Sequence, residues 1–439
     1  MTKFLHKKFI LPLLAVIISV MFIFTLFSGY LGEKERKNNI PVVEVRYPKD
    51  GATVSKIVTI SGVASDPDGD KTIKRVEVKT DSEWFYADGT TKWSYEWNTY
   101  NVEEGYYTIQ VRAWDGADYS KVKKIKVRVF KPEVVQSDAH KWAVFIISAN
   151  FPEDNESKLG NGGLYLAEEM STYFIENYGF PTSNVYILFD DGWIRSDNGF
   201  GERIETLQER YHQYDITYGA ATKEVVVSYL ENVITEANNF DNSEVFIWIM
   251  GHGWGDTSNP WTGGKLLERS GVFLWNKEIL EDKELGVILS NLQSKKTCII
   301  VDACFSGGFA DKTIYNFPTF FLLRSKIPKP GRVVITGASK FRVGYASTTE
   351  GSLFSILWFK GLTTGEADGY RPGLLETGRP TRFKIFKDGK VSVEEAFYYA
   401  RYMLKEDENL KEYSKMEPQI NDQYPNKGIL RSLRGLMLG

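Results

Sequence analysis

The sequence predicts an α/β protein with a second, all-β part. A mostly parallel sheet flanked by helices is expected over 140–439, an antiparallel β-sandwich over 41–130, and one transmembrane helix within 1–31. Three observations predict this. Short β-rich runs with turn signals between them fill 41–130. From residue 140 on, continuous apolar runs alternate with stretches of helical spacing, as in a parallel sheet covered on both faces. Residues 9–31 form an uncharged apolar run. A length of 439 residues leaves room for two or three domains. Its 42% hydrophobic and 25% charged residues are ordinary globular material. A net charge of −3 lacks the basic excess of a nucleic-acid binder, so no nucleic acid is expected as a partner.

Lys3, Lys7 and Lys8 precede the apolar run from Phe9 to about Leu31. Roughly 20 such residues cross a bilayer as a helix. The cationic start puts the N-terminus inside and everything downstream outside. A cleaved signal peptide would have a shorter apolar core of about 7 to 15 residues and an A-x-A-like site. Phe27-Ser28-Gly29-Tyr30 matches that site poorly. The expected localisation is a single-pass cell-membrane protein with its folded part extracytoplasmic, or a secreted one if the segment is cleaved.

Within 41–130 the runs Val54–Ile60, Ile73–Thr80, Lys92–Trp97, Tyr106–Trp114 and Lys121–Phe130 have the spacing of a small antiparallel sandwich. Val42, Glu44 and Arg46 alternate with Val43, Val45 and Tyr47. The segment resembles the immunoglobulin-like modules of secreted prokaryotic proteins, through Asp66-Pro67-Asp68-Gly69-Asp70 and the ending Ala113-Trp114-Asp115-Gly116. Asp66, Asp68 and Asp70 alternate as calcium ligands can, but Lys71 stands where an EF-hand loop needs glycine, so an acidic turn is the reading. Trp84, Trp93, Trp97 and Trp114 are read as core. The module is a spacer or a docking element, toward a cell surface or a polysaccharide.

Lys131–Ala139 reads as a linker. Trp142–Ala149 is then a continuous apolar strand, followed by Leu164, Ala167, Met170, Ser171 and Phe174 at helical spacing. A second strand, Asn184–Phe189, ends at Asp190-Asp191. Thr222 can cap a helix bearing Val226, Tyr229, Val233 and Ala237. Val245–Met250 is a strand that stops at Gly251-His252-Gly253. A hairpin is expected at Ser270-Gly271 and a helix over Glu278–Leu292. The strand from Cys298 ends at Asp302-Ala303-Cys304, with Phe305-Ser306-Gly307-Gly308 after it. Val333–Ala338 is a further strand, and Ser352–Leu362 and Val393–Leu404 are helical.

That architecture gives two residues their meaning, because open parallel sheets place ligands at the carboxyl ends of their strands. His252 and Cys304 both follow such ends. If the two strands are neighbours, an imidazole stands beside a thiol, can take its proton and can later protonate a leaving amine. The N–H groups of Gly253 and Cys304 could form an oxyanion hole. His6, His140 and His212 lie in other contexts, and Cys298 reads as core. Cys298 and Cys304 are six residues apart on one strand, roughly 20 Å, too far for a disulfide. No C-x-x-C or H-E-x-x-H spacing occurs, so neither metal nor cofactor is expected.

Apolar block-His252-Gly253 followed by apolar block-Ala303-Cys304 resembles the caspase-like cysteine peptidases. Within them the chain is most similar to the legumain family, through Trp142-Ala143-Val144 leading to Asn150, Phe189-Asp190-Asp191, Asp302-Ala303-Cys304-Phe305-Ser306-Gly307, Ile335-Thr336-Gly337-Ala338-Ser339 and Tyr345-Ala346. The resemblance covers about 140–365. It implies a caspase-like sheet, Cys304 as nucleophile, His252 as base and acid, Asn150 orienting His252, and Gly253 in the oxyanion hole. Asp302, Phe305 and Ser339 are expected to touch a protein or peptide substrate. The chain departs from the family where legumain has Glu directly after its nucleophile and this chain has Phe305. It departs again at Pro152-Glu153-Asp154-Asn155 and at Val343-Gly344, so an asparaginyl preference does not carry over. The expectation is a membrane-anchored cysteine endopeptidase working through a Cys/His dyad and a thioester. A transpeptidase or transamidase with the same nucleophile, or a non-catalytic caspase-like binding protein, are the alternatives. An α/β-hydrolase elbow is excluded, since Asp302 and Ser306 replace its glycines and no histidine follows Cys304.

Overall fold

Alternation of apolar and polar residues gives the N-terminal part its strands. The computed structural model describes residues 38–129, 140–151, 158–425 and 435–439, apart from 56, 100–101, 211, 256–262, 265–266, 316, 373–380 and 383–386. The linker Lys131–Ala139 and Pro152–Asn155 lie outside them. The first strands are β1 (Val42–Tyr47), β2 (Thr53–Val54), β3 (Ile57–Ser65), β4 (Arg75–Lys79), β5 (Phe85–Tyr86), β6 (Asp88–Gly89), β7 (Lys92–Asn98), β8 (Gly105–Trp114) and β9 (Lys123–Val129). They form a four-stranded sheet in the order β1-β3-β7-β6 and a five-stranded sheet in the order β2-β9-β8-β4-β5. On β8, Ile109, Val111 and Ala113 are buried, as are Val76 and Val78 on its antiparallel partner β4. Asp66 is occupied within its own turn, accepting from Asp68 N and Thr72 Oγ1 at 2.8 and 2.7 Å. Trp93 and Trp97 are buried. Trp84 and Trp114 lie under the guanidinium groups of Arg112 and Arg75, at 4.2 and 5.3 Å.

Two compact units are present. The smaller is built from segments of the β-rich part, including 62–94 and 108–125; the larger contains the α/β part together with 47–61 and 95–107.

The α/β part follows in chain order: β10 (Lys141–Ser148), α1 (Gly162–Tyr178), β11 (Val185–Phe189), β12 (Trp193–Arg195), β13 (Arg203–Thr206), β14 (Thr217–Gly219), α2 (Lys223–Ala237), β15 (Glu244–Gly251), β16 (Gly271–Phe273), β17 (Ile279–Glu281), α3 (Asp282–Ile288) and β18 (Lys296–Asp302). Then come β19 (Arg332–Thr336), β20 (Ala346–Ser347), β21 (Gly351–Ser352), α4 (Leu353–Thr364), β22 (Tyr370–Arg371), β23 (Thr381–Arg382), α5 (Val393–Glu406) and β24 (Gln419–Asp422). Seven strands form one sheet in the order β14-β11-β10-β15-β18-β19-β24. Its first six strands are parallel, and β24 pairs antiparallel with β19. Both faces are covered. Leu164, Phe174, Trp358 and Phe397 pack on one side, and Val226, Tyr229, Leu285 and Leu289 on the other. Local signals set the helix ends. Thr222 caps α2 by accepting from Val225 N, Ser392 and Glu395 form a capping box on α5, and Gly179 ends α1 at φ 65°.

Several expectations are corrected here. The turn of the hairpin is not at Ser270-Gly271. Those residues lead into β16, and the chain reverses at Asn276 and Lys277, both at positive φ (67° and 61°). The helix expected from Glu278 begins only at Asp282, because Ile279–Glu281 pairs with β16. The antiparallel edge strand β24 was not anticipated. The largest correction concerns the membrane. Among the described residues no helix is long and apolar enough to cross one. The expected transmembrane helix fell on 1–31, outside the described residues. The transmembrane part of the fold class is therefore withdrawn. With it go the membrane as a partner and the single-pass extracytoplasmic localisation.

Candidate active site

The sheet order makes β15 and β18 direct neighbours, with Met250 opposite Asp302. His252 and Cys304 therefore leave the sheet side by side at its carboxyl edge. The chain past each strand is fixed by its neighbours. His252 accepts from Phe273 N at 2.9 Å, and Trp254 N donates to Gly271 O at 2.8 Å. A Cβ on Gly253 would overlap the carbonyl oxygen of Cys304. Glycine is required at 253 because the backbone of Cys304 fills that space, a different reason from the substrate access expected of it.

Phe305 follows Cys304 in the left-handed region at φ 56°, ψ 23°. A bulky residue there is strained, and such strain gathers at functional sites. Several bonds hold the turn. Phe305 N donates to Arg342 O at 2.7 Å, and Ser270 Oγ donates to Phe305 O at 2.5 Å. Ser270 Oγ also accepts from Gly308 N at 3.1 Å, and Ser270 N donates to the buried Asp282. The Phe305 ring is buried against Gly255, where a Cβ would collide with it. It is thus a wall of the turn rather than an open contact surface.

The other expected residues are placed as follows. Asp302 is buried and accepts from Ser355 N and Oγ at 3.1 and 2.6 Å and from Ser352 Oγ. It joins the end of β18 to the N-terminus of α4. Burial raises its carboxyl, and the serine bonds pull against that. Ser339 is buried, with its N–H on Met416 O at 2.8 Å. Asn150 is buried and bonded toward the adjacent strand end. Its Nδ2 donates to Asp190 Oδ2 at 2.6 Å, because Asp190 turns back at φ 42° beyond the adjacent strand β11. Burial and the Asp191 carboxylate push Asp190 up to about 7. Burial opposes ionisation of Asp191 too, but Arg195 and Arg203 hold it below the usual carboxylate range.

The thiol of Cys304 is hydrogen-bonded with Gly344. Gly344 N donates to Sγ at 3.3 Å, and Sγ lies 3.8 Å from Gly344 O. Among the described residues His252 is not a hydrogen-bond partner of the thiol. The expected Cys/His dyad is therefore corrected, together with the membrane-anchored endopeptidase built on it. Desolvation pushes the thiol up from its ordinary value, while the N–H groups of Gly344 and Gly253 pull it down. Ser270, Asp282 and Gly344 carry no sequence signature. Two are hydrogen-bonding side chains on loops and helix starts, and the third acts through its backbone.

Residues 41–111 match the family described as "Bacterial Ig domain". No curated protein matches the chain. Among solved structures it is similar to an endo-beta-1,4-mannanase from Thermotoga petrophila, at 19% identity over 23% of this chain and 21% of that one, with a TM-score of 0.19. The chain thus spans about a fifth of that enzyme. It is also similar to caspase-1 from Spodoptera frugiperda, at 10% identity over 64% of this chain and 86% of that one, TM-score 0.34. The PKD1 domain of Vibrio anguillarum Epp matches at 16% identity over 22% of this chain and all of that one, TM-score 0.17.

Proposed function

We propose that the α/β part, residues 140–439, is a cysteine peptidase acting on peptide bonds, and that 41–130 is a separate immunoglobulin-like module. The motifs around Cys304 that resemble the legumain family support the peptidase class, while Phe305 and Val343-Gly344 leave its P1 preference its own. The observation that carries the reading is the seating of Cys304. It is a thiol at the carboxyl edge of a parallel sheet, on a left-handed turn held by Ser270 and Arg342, with backbone N–H groups around its sulfur.

In this reading Sγ attacks the scissile carbonyl carbon as the thiolate. The N–H groups of Gly253 and Cys304 take the developing oxyanion. The thiol's proton, given up to water before the attack, returns to the nitrogen as the C–N bond breaks and the amine leaves. Water then adds to the thioester, the acid product departs, and the thiol is restored. Profiling the full chain and Cys304→Ala against a P1-diverse peptide library tests the assignment. Cleavage is expected only in the former, with unchanged circular dichroism. Cleavage by the alanine variant would falsify it.

A further inference from the structure

If Cys304 is a nucleophile, something must favour its thiolate over its thiol. The imidazole is not bonded to it, so the question passes to the groups that are. Gly344 presents two of them. Its carbonyl lies 3.8 Å from Sγ and its N–H 3.3 Å. A thiol donates to a carbonyl, whereas a thiolate only accepts. One residue therefore serves both protonation states, with the carbonyl taking S–H and the N–H taking S⁻.

The position of Gly344 is fixed on both sides. Upstream, Arg342 O accepts from Phe305 N and Arg342 N donates to Ser339 O at 3.2 Å. Downstream, Tyr345 O accepts from Leu353 N at 3.0 Å, and the Tyr345 ring meets Tyr413 edge-on at 4.9 Å. A donor held this way needs no reorganisation when charge appears on sulfur, the condition under which a backbone N–H counts most. Gly253 approaches from the other side, pressed against the Cys304 backbone. Its N–H acts in the same direction as that of Gly344.

We propose that the backbone N–H of Gly344 is a catalytic group that holds the Cys304 thiolate, the task an imidazolium has in a paired Cys–His site. The proposal rests on the reading of Cys304 as a nucleophile. It divides the work differently from the expected dyad: the anion on sulfur is held by the Gly344 N–H and not by an imidazolium.

The test is the pH profile of Cys304 alkylation by iodoacetamide in the full chain, with the adduct located by mass spectrometry. Gly344→Pro deletes the N–H. Its alkylation midpoint should rise by about one unit, so that the rate at pH 7 falls about tenfold while the high-pH plateau stays. Gly344→Ala restores the N–H, its nearest atoms are at ordinary contact distance from 3.6 Å, and it should recover the low-pH reactivity. His252→Ala should move the midpoint less than Gly344→Pro does. A folded Gly344→Pro variant with the wild-type midpoint overturns the proposal. If that variant does not fold, the His252 arm decides alone: a shift of about one unit or more there assigns the thiolate to the imidazolium and overturns it. Loss of the peptidase reading looks different, since Cys304→Ala would then still cleave peptide while these alkylation profiles kept their predicted order.

Discussion

Cys298 and Cys304 are both free thiols, one inside β18 and one just past its end. Cys298 sits between Phe246 and Val333 in the ladder and is fully enclosed. Burial pushes its thiol well above the ordinary value, and Glu394 and Glu244 add to that. Cys304 is desolvated as well, yet backbone N–H groups oppose the effect. The difference comes from the sheet. Inside the ladder, N–H groups are committed to neighbouring strands. Past the strand end they are released and can be aimed at a side chain. Six residues of chain thus separate an inert core thiol from a candidate nucleophile.

Three substitutions sharpen or break this contrast, in falling order of effect. Phe305→Ala removes a buried ring beside Cys304 and should cost about 3–5 kcal/mol, measured by denaturant unfolding. A loss under about 1 kcal/mol would mean that the ring does not brace the turn. Ser270→Ala removes the donor to Phe305 O and the acceptor for Gly308 N. It should cost about 1–2 kcal/mol and slow Cys304 alkylation, and an unchanged alkylation rate would sever Ser270 from the nucleophile turn. Cys298→Ala, at the other end of the contrast, should cost about 1 kcal/mol and leave peptide cleavage as it was. Loss of cleavage in a folded Cys298→Ala chain would show that the two thiols are coupled after all.

The sequence made much of this legible. Continuous apolar runs located β10, β11, β15, β18 and β19, and turn signals outlined the β-rich part, since both patterns come from burial. The ends at His252 and Cys304 were readable because each breaks an apolar run. Contacts between distant segments were not. Asn150 belongs to Asp190, Asp302 to Ser352 and Ser355, and the thiol to Gly344. Each pairing depends on register and turn direction, which single-sequence periodicity does not encode. β24 escaped notice for a related reason. Gln419-Ile420-Asn421-Asp422 is too short and polar to announce a strand, and its pairing comes from β19.

That edge strand also has a consequence for synthesis. Strand β18, which leads to Cys304, gains its outer neighbour β19 soon after translation, but β19 stays uncovered until residues 419–422 leave the ribosome. Through that interval the nascent chain displays an apolar strand with unpaired backbone groups beside the strand that leads to Cys304. Such an edge invites pairing with other chains. Production of this protein will therefore depend on how long that edge is left waiting, and slower elongation across the segment before β24 will lower the soluble yield.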